Sequence, residues 1–251
     1  MPALLDAAQE SAESVDPGPR AFVDLHSHTN GSFDCLSDPI AAVRAAATRG
    51  LTHLAITDHE RIDAALRARD AAPAGLTVIV GEEVRTADGD LICLFLERPI
   101  PRGLPARETI AMVRDQGGLV GIPHPFDRMR GSLFKRGALE GVAQAVDWIE
   151  GHNARIVGSG NECALEFERA HEVRYVAVSD AHSILEIGIA YTVLTGDPST
   201  PAGLLAALGS SQLVPGRASY IVRALTPMAK VVQRLRGQGR PHASADAGGV
   251  R

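Results

Sequence analysis

The sequence predicts an α/β fold built on a mostly parallel sheet closed into a barrel, and three observations predict it. First, apolar runs of strand length alternate with amphipathic stretches of helix length along the chain. Second, almost every apolar run leads into His, Asp or Glu: Asp24/His26/His28, Asp58/His59, Glu83, His124, Glu150/Asn153 and Asp180/His182. Polar groups at the C-terminal ends of most strands mark a barrel, whereas a doubly wound sheet gathers its site at one switch point, usually behind a glycine-rich phosphate loop. Third, the chain has neither a G-x-G-x-x-G pattern nor a P-loop.

The elements follow in order. Residues 1–20, rich in Ala, Ser, Glu and Pro, predict a loose tail with a frayed helix over 4–10, and residues 236–251, rich in Gly, Arg, Ala and Ser, predict a second. A single domain over 21–235 lies between them. Ala21-Phe22-Val23 starts a strand that runs into Asp24-Leu25-His26-Ser27-His28-Thr29. Side-chain alternation puts His26 and His28 on one face, about 7 Å apart, a ready half of a metal site. Ser37-Asp38-Pro39 starts a helix, with Ile40, Val43 and Ala47 on one face and Gly50 as its stop. A strand over 51–57 ends at Asp58-His59, and a helix follows to about Asp70. A strand over 76–80 leads into Gly81-Glu82-Glu83. A turn at 87–90 precedes a strand over 91–96, a helix spans 108–116, and a strand over 119–122 ends at His124. A strand over 146–149 ends near Glu150 and Asn153, a helix spans 161–171, and a strand over 175–178 ends at Ser179-Asp180-Ala181-His182. Two late helices cover 202–208 and 227–235.

Composition bounds the function. The 251 residues carry a formal charge of −5 and are 45% hydrophobic, enough for a sizeable core. Positive charge is nearly all Arg, with Lys only at Lys135 and Lys230. An acidic balance argues against an extended nucleic-acid surface, although not against a nucleotide or short oligonucleotide held in a pocket. Cys35, Cys93 and Cys163 are odd in number and far apart, which predicts no disulfide framework and a reducing, cytoplasmic setting. No apolar run approaches the length of a membrane span.

The strand-end residues set the chemistry. Nitrogen and carboxylate donors without thiolates suit Mn²⁺, Fe or Zn²⁺, and their number exceeds what one tetrahedral ion needs. Two or three ions bridged by carboxylates are therefore expected, with Mn²⁺ foremost. Such an assembly can bind both the attacking and the leaving oxygen of a displacement at phosphorus and can acidify a water.

Five motifs in order, Asp24-Leu25-His26-Ser27-His28-Thr29, Ile56-Thr57-Asp58-His59, Gly81-Glu82-Glu83, Pro123-His124-Pro125 and Ser179-Asp180-Ala181-His182, resemble the PHP (polymerase and histidinol phosphatase) domain family across roughly residues 22–188. The resemblance implies a distorted (β/α)₇ barrel with a metal cluster at the C-terminal mouth of the strands and hydrolysis of phosphoester bonds. It implies His26, His28, His59, Glu83, His124, Asp180 and His182 as ligands, with His59, Asp180 and His182 closest to the chemistry. Two positions depart from the family pattern. Phe33 stands where many members have Asp, with Asp34 next to it, and Asp90 stands where His is common. Asp34 and Asp90 join the ligand set on that basis. Asp58 is expected to orient His59 rather than to ligate.

An anionic substrate needs positive groups beside the ions. Arg128 and Arg130 follow Pro123-His124-Pro125 on a predicted mouth loop with Lys135, and Arg85 shares the face of Glu83. All three arginines are candidates for bidentate phosphate contact, Arg128 first. The expected partner is a small phosphorylated molecule, a nucleotide or a short oligonucleotide. Two alternatives stand beside this reading: a metal-binding module without catalysis, and an amidohydrolase, whose barrel also begins with H-x-H. Many two-metal amidohydrolases need a carbamylated Lys at a strand end, and neither lysine here follows a clear strand.

Overall fold

The structure, a computed structural model, describes residues 18–133, 137–171 and 173–238. Most of both predicted tails, and Lys135, lie outside the described residues. Arg20, assigned to the N-terminal tail by the sequence, instead begins the first strand.

Nine strands form one sheet: β1 (Arg20–Asp24), β2 (His53–Ile56), β3 (Thr77–Arg85), β4 (Asp90–Leu94), β5 (Leu119–Ile122), β6 (Trp148–Asn153), β7 (Tyr175–Val178), β8 (Tyr191–Thr195) and β9 (Gln212–Val214). Their spatial order is β7-β6-β5-β4-β3-β2-β1-β8-β9. Helices α1 (Pro39–Thr48), α2 (Asp63–Asp70), α3 (Ala106–Arg114), α4 (Leu139–Ala143), α5 (Gly160–His171), α6 (Pro201–Ala207), α7 (Tyr220–Arg223) and α8 (Leu225–Leu235) occupy the connections and the C-terminal segment. Asp38 caps α1 by accepting from the amides of Ile40 (2.9 Å) and Ala41 (3.2 Å), with Pro39 in the first turn.

The sheet is parallel through β1-β2-β3 and through β5-β6-β7, as expected, but β4 runs antiparallel to both of its neighbours. Four residues link β3 to β4, too few for the crossover that a parallel successor requires. The Thr86 hydroxyl shapes this turn, accepting from the amides of Asp88 and Gly89 at 3.1 Å each. Gly89 supplies a backbone at φ 148°, which other residues rarely adopt. The reversal pairs Asp90, the first residue of β4, with Arg85, the last of β3. Asp90 therefore sits at the rim formed by the C-terminal ends of the parallel strands, although it starts its own strand.

The barrel closes in two steps. Near the mouth, the segments beyond β1 and β7 pair directly: Ser27 bridges Ala181 in parallel, His28 N donates to Ala181 O (2.8 Å), and Asp180 N donates to His26 O (2.9 Å). Below the mouth, β8 lies antiparallel beside β1, and the Thr192 hydroxyl accepts from Ala177 N (2.8 Å) and donates to Ala177 O (3.0 Å) on β7. Asp24 reinforces the seam, accepting from Ser179 N (3.0 Å) and Gly188 N (3.1 Å). The sequence reading lacked β8, β9, α4 and α7. These are short elements, and β8 carries Thr where a half-buried strand would ordinarily present aliphatic groups.

Alternation splits the strand residues into two apolar sets. Leu54, Ile56, Val78, Val80, Val120 and Ile122 are buried with Ala42, Val43 and Ala46 of α1, Ala65 and Ala68 of α2, and Ile110 and Val113 of α3. Val23, Ala55, Ile79, Ile92, Trp148, Val176 and Val178 form the inner set, to which α6 adds Leu204 and Ala207. Trp148 is the largest fully buried side chain, and it lies where a Cβ on Gly121, its register partner on β5, would overlap the indole. No helix among the described residues is long and apolar enough to cross a membrane.

Two predictions follow from this packing. Gly121→Ala destabilises the fold by about 1–3 kcal/mol through overpacking, measured by urea unfolding, and Trp148→Phe in the same chain recovers part of that loss. Burial pushes the Asp24 carboxyl up to about 6, against the hydrogen bonds it accepts from Ser179 and Gly188. Its folded state thus holds a proton that the unfolded chain releases near 3.8, so the contribution of Asp24 is fully present below that pH and is lost as pH rises through about 6. In the metal-free chain, stability relative to Asp24→Asn should therefore fall between pH 4 and 7, by at most about 3 kcal/mol.

Candidate metal centre

The mouth of the barrel gathers the candidate ligands around one carboxylate, Glu83 on β3. Its Oε2 lies 3.5 Å from His26 Nε2, 3.4 Å from His28 Nε2 and 3.3 Å from His59 Nδ1, while its Oε1 lies 3.1 Å from His124 Nε2. Both oxygens of this carboxylate therefore face imidazoles. Asp180 Oδ1 stands 3.6 Å from His26 Nε2 and 3.5 Å from His28 Nε2. Asp34 Oδ2 stands 3.6 Å from His59 Nε2 and 3.5 Å from His182 Nε2.

The donor atoms form three trios, each within 4.8 Å: His26/His28/Asp180, His28/His59/His182 and Glu83/Asp90/His124. His28 is common to two of them. Every residue that the sequence marks as a ligand, Asp34 included, therefore stands in this cluster.

Supporting contacts orient the imidazoles. His26 Nδ1 donates to Glu150 Oε1 (2.6 Å), which leaves Nε2 turned toward the cluster. The other oxygen of Glu150 accepts from His124 N (2.6 Å) and Asn153 Nδ2 (2.8 Å). His28 Nδ1 donates to Ser32 Oγ (3.1 Å), which donates in turn to Asp58 Oδ1 (2.7 Å). Asp58 also accepts from Thr29 N (2.6 Å) and from the Thr29 hydroxyl, so it fixes the turn after β1 and belongs to none of the trios. His182 Nδ1 donates to Asp180 O (2.9 Å), again leaving Nε2 inward. The sequence offered a signal for Glu150, an acid at the end of an apolar run, but gave it no role.

The backbone is strained at two candidate ligands. His124 has φ 29° and Asp180 has φ 51°, in the left-handed region that non-glycine residues seldom occupy. Both are held by bonds to neighbouring strands, His124 through its amide on Glu150 and Asp180 through its amide on His26 O.

The electrostatics favour bound cations. Burial works against the charge of Glu83, yet His59, His124 and His26 hold its carboxyl well below the usual range. Asp180 is likewise held low against burial by Arg130 and His26, and Asp34 by His182 and His59. Burial, reinforced by the charge of His182, pushes His28 down to about 3, so it is neutral. His59 rises to about 9 because Glu83 and Asp34 outweigh its burial. Buried Asp180 Oδ1, Asp34 Oδ1 and His124 Nδ1 have no hydrogen-bond partner. Such orphaned atoms are costly unless something outside the protein satisfies them.

A cleft of about 440 Å³ opens onto the cluster, lined by Phe33, Asp34, His59, Glu83, Arg85, Asp90, Met129, Arg130, Gly131, His182 and Lys230. Arg85 forms a two-point ion pair with Asp90. Arg130 pairs with Asp180 and donates through Nε to Asp127 (2.6 Å), while its buried Nη2 has no partner. The structure does not bring Arg128 to this cleft; it is exposed and lines a neighbouring cavity with Phe126 and Phe167. Lys230 of α8 also reaches the rim. His53, His152 and His171 bond elsewhere, to Ser199, Gly216 and Phe167.

Comparison with known proteins agrees with this geometry. The PHP domain family matches residues 24–179, and the PHP-associated family matches residues 158–213. The uncharacterised protein MJ0417 of Methanocaldococcus jannaschii is 35% identical over 173 residues, 67% of this chain and 68% of its own length. A two-domain Bacteroides vulgatus protein containing a predicted PHP-like metal-dependent phosphoesterase superposes with a TM-score of 0.66 at 18% identity, over 80% of this chain and 66% of that one. The lesion-specific endonuclease Q of Pyrococcus furiosus superposes with a TM-score of 0.58 at 18% identity, over 78% of this chain and 58% of that one. With more than half of its length matched, the chain belongs to the PHP domain family.

Proposed function

We propose that this PHP protein is a metal-dependent hydrolase of phosphoester bonds, acting on a small phosphorylated molecule, a nucleotide or the end of a short oligonucleotide. The observation that carries the reading is the enclosure of Glu83 by four imidazoles beside a cleft that also presents arginines. The relatives support it: one solved neighbour contains a predicted PHP-like phosphoesterase and another is a lesion-specific endonuclease. A cleft of about 440 Å³ is the size of a small-molecule pocket.

The donor set fits divalent ions. It is all nitrogen and oxygen, it contains carboxylates kept ionised, and three of its buried atoms have no hydrogen-bond partner. His26, His28 and Asp180 would hold one ion, and His59, His182 and Asp34 a second. Glu83 would bridge, and Asp90 with His124 would complete a third position. The expected ions are Mn²⁺ first, then Fe or Zn²⁺. When bound, they supply Lewis acidity, which acidifies a water and neutralises charge on the phosphoryl group.

The chain's own residues do the rest. Glu150 and Ser32 fix the tautomers of His26 and His28. Arg130 lines the cleft and steadies Asp180, and its charge favours an anion there. Arg85 holds Asp90 in place at the rim and lies within reach of the same anion. His59 and His182 line the cleft, so the ion they would hold with Asp34 would stand where a phosphoryl group can reach it. An amidohydrolase centred on a carbamylated lysine finds no support, because Lys230 sits on a helix and no strand among the described residues carries a lysine.

The reading is tested with the Mn²⁺-loaded chain on one mixed panel of nucleoside mono- and bisphosphates, histidinol phosphate, sugar phosphates and a short RNA, with products read by mass spectrometry. Product forms only with metal, and His26→Ala lowers the rate by at least about 100-fold. Loaded protein that leaves the whole panel intact overturns the reading in favour of a metal-binding module. Separately, Glu150→Gln weakens metal affinity by about 10- to 100-fold, because a neutral amide with one accepting oxygen cannot serve His26 Nδ1–H, His124 N and Asn153 Nδ2 together, measured by competition with a chelating dye.

A further inference from the structure

Helix α8 lies C-terminal to both matched family segments, which end at residues 179 and 213. Its inner face carries Thr226, Ala229 and Gln233, with exposed Lys230 beside them, one turn after Thr226. Gln233 is wholly buried, and its Nε2 reaches the carbonyls of Asn30 (3.0 Å), Ser32 (3.0 Å) and Cys35 (2.9 Å). These carbonyls belong to the loop after β1, which carries Asp34. At the other end of the face, Thr226 Oγ1 accepts from Arg155 Nη2 (2.8 Å). Arg155 pairs with Glu186, whose Oε2 accepts from His182 N (3.0 Å). The helix is therefore anchored on the two loops that carry Asp34 and His182.

Between these anchors Lys230 points into the cleft. Its Nζ lies 4.0 Å from Asp34 Oδ2 and 5.7 Å from the centre of the Phe33 ring. The other two cations lining the cleft among the described residues are committed to carboxylates, Arg85 to Asp90 and Arg130 to Asp127 and Asp180. Among the described residues Lys230 contacts one carboxylate, Asp34, at long range, beside the Phe33 ring, and its side chain is 52% exposed. An ammonium on a flexible stem, with its head at the rim of a cleft, is suited to follow an anion as it enters.

We propose that α8 supplies a substrate-binding residue and its support: Lys230 contacts a phosphoryl oxygen of the substrate in the cleft, and Gln233 is the positioning residue that fixes α8 against the loop carrying Asp34. This rests on the phosphoesterase reading above, because it requires an anionic substrate at the metal centre. Lys230 and Gln233 lie outside the matched family segments.

Inorganic phosphate, titrated calorimetrically into the Mn²⁺-loaded full chain, is the probe. Lys230→Ala raises the phosphate Kd by about 5- to 20-fold and Lys230→Arg by less than about threefold, since the charge is kept. Gln233→Met keeps the volume but not the hydrogen bonds, and it raises Kd similarly with unchanged circular dichroism. The double variant Lys230→Ala/Gln233→Met binds no more weakly than Lys230→Ala alone, because both act through one contact. Lys230 is half exposed, so its variants fold and carry the test without Gln233. A Lys230→Ala Kd within about twofold of the unchanged protein overturns the assignment while metal-dependent turnover leaves the phosphoesterase reading standing. Multiplying effects in the double variant overturn the positioning role of Gln233. Loaded protein that neither binds phosphate nor turns over any phosphoester overturns both proposals.

Discussion

The structure depends on the burial of Glu83 among imidazoles. A carboxylate with 3% of its side chain exposed cannot stay ionised in a protein interior unless positive charge surrounds it. Here the charge comes from His59 and His26, with a hydrogen bond from His124, but the cluster also buries Asp34 and Asp180, leaving an oxygen of each without a hydrogen bond. The protein groups alone do not settle this account. His28 is forced neutral, and one oxygen each of Asp34 and Asp180 accepts no hydrogen bond. A site that is costly when empty and offers inward-facing Nε2 atoms is one that divalent cations stabilise, so ligand binding and folding are linked at the mouth.

Holding that cluster together explains the irregular half of the fold. Direct pairing of the segments after β1 and β7 sets His26 and His28 beside Asp180 and His182, but it operates only near the mouth. Below it, β8 and the Thr192 hydroxyl occupy the seam. The barrel is thus tight where the ligands converge and is filled by an extra strand where they do not. The left-handed backbone at His124 and Asp180 belongs to the same economy. Each residue turns its side chain inward just beyond a strand end, and each amide is tied to a residue of a neighbouring strand or of the cluster.

Much of this was legible in the sequence because the ligands stand at the ends of apolar runs, and alternation plus strand length fixes where such residues go. His26/His28, His59, Glu83, His124 and Asp180/His182 all fall under that rule. Asp90 does not; it reached the mouth because the four-residue link after β3 forces an antiparallel strand, a consequence of turn length that strand-end counting ignores. Glu150 obeyed the rule, but its role depends on which neighbour it meets, and His26 lies 124 positions away. The sequence put Arg128 ahead of Arg130, but two residues on one loop point differently according to the turn between them, and it is Arg130 that lines the cleft.

Gln233 and Lys230 lay furthest from view. An amphipathic helix near a C-terminus presents a glutamine and a lysine that read as ordinary solvated residues, and nothing local distinguishes them. Their meaning comes from about 200 residues away, where the carbonyls of Asn30, Ser32 and Cys35 need donors because the turn after β1 is bent around Asp58 rather than paired in a sheet. A buried loop with free carbonyls requires a polar group from elsewhere in the chain, and α8 supplies it. The turn that positions Asp34 and the helix that covers it are therefore one unit: the irregular backbone needed to aim a ligand creates the hydrogen-bonding demand that recruits the helix, and the recruited helix brings a cation to the edge of the cleft.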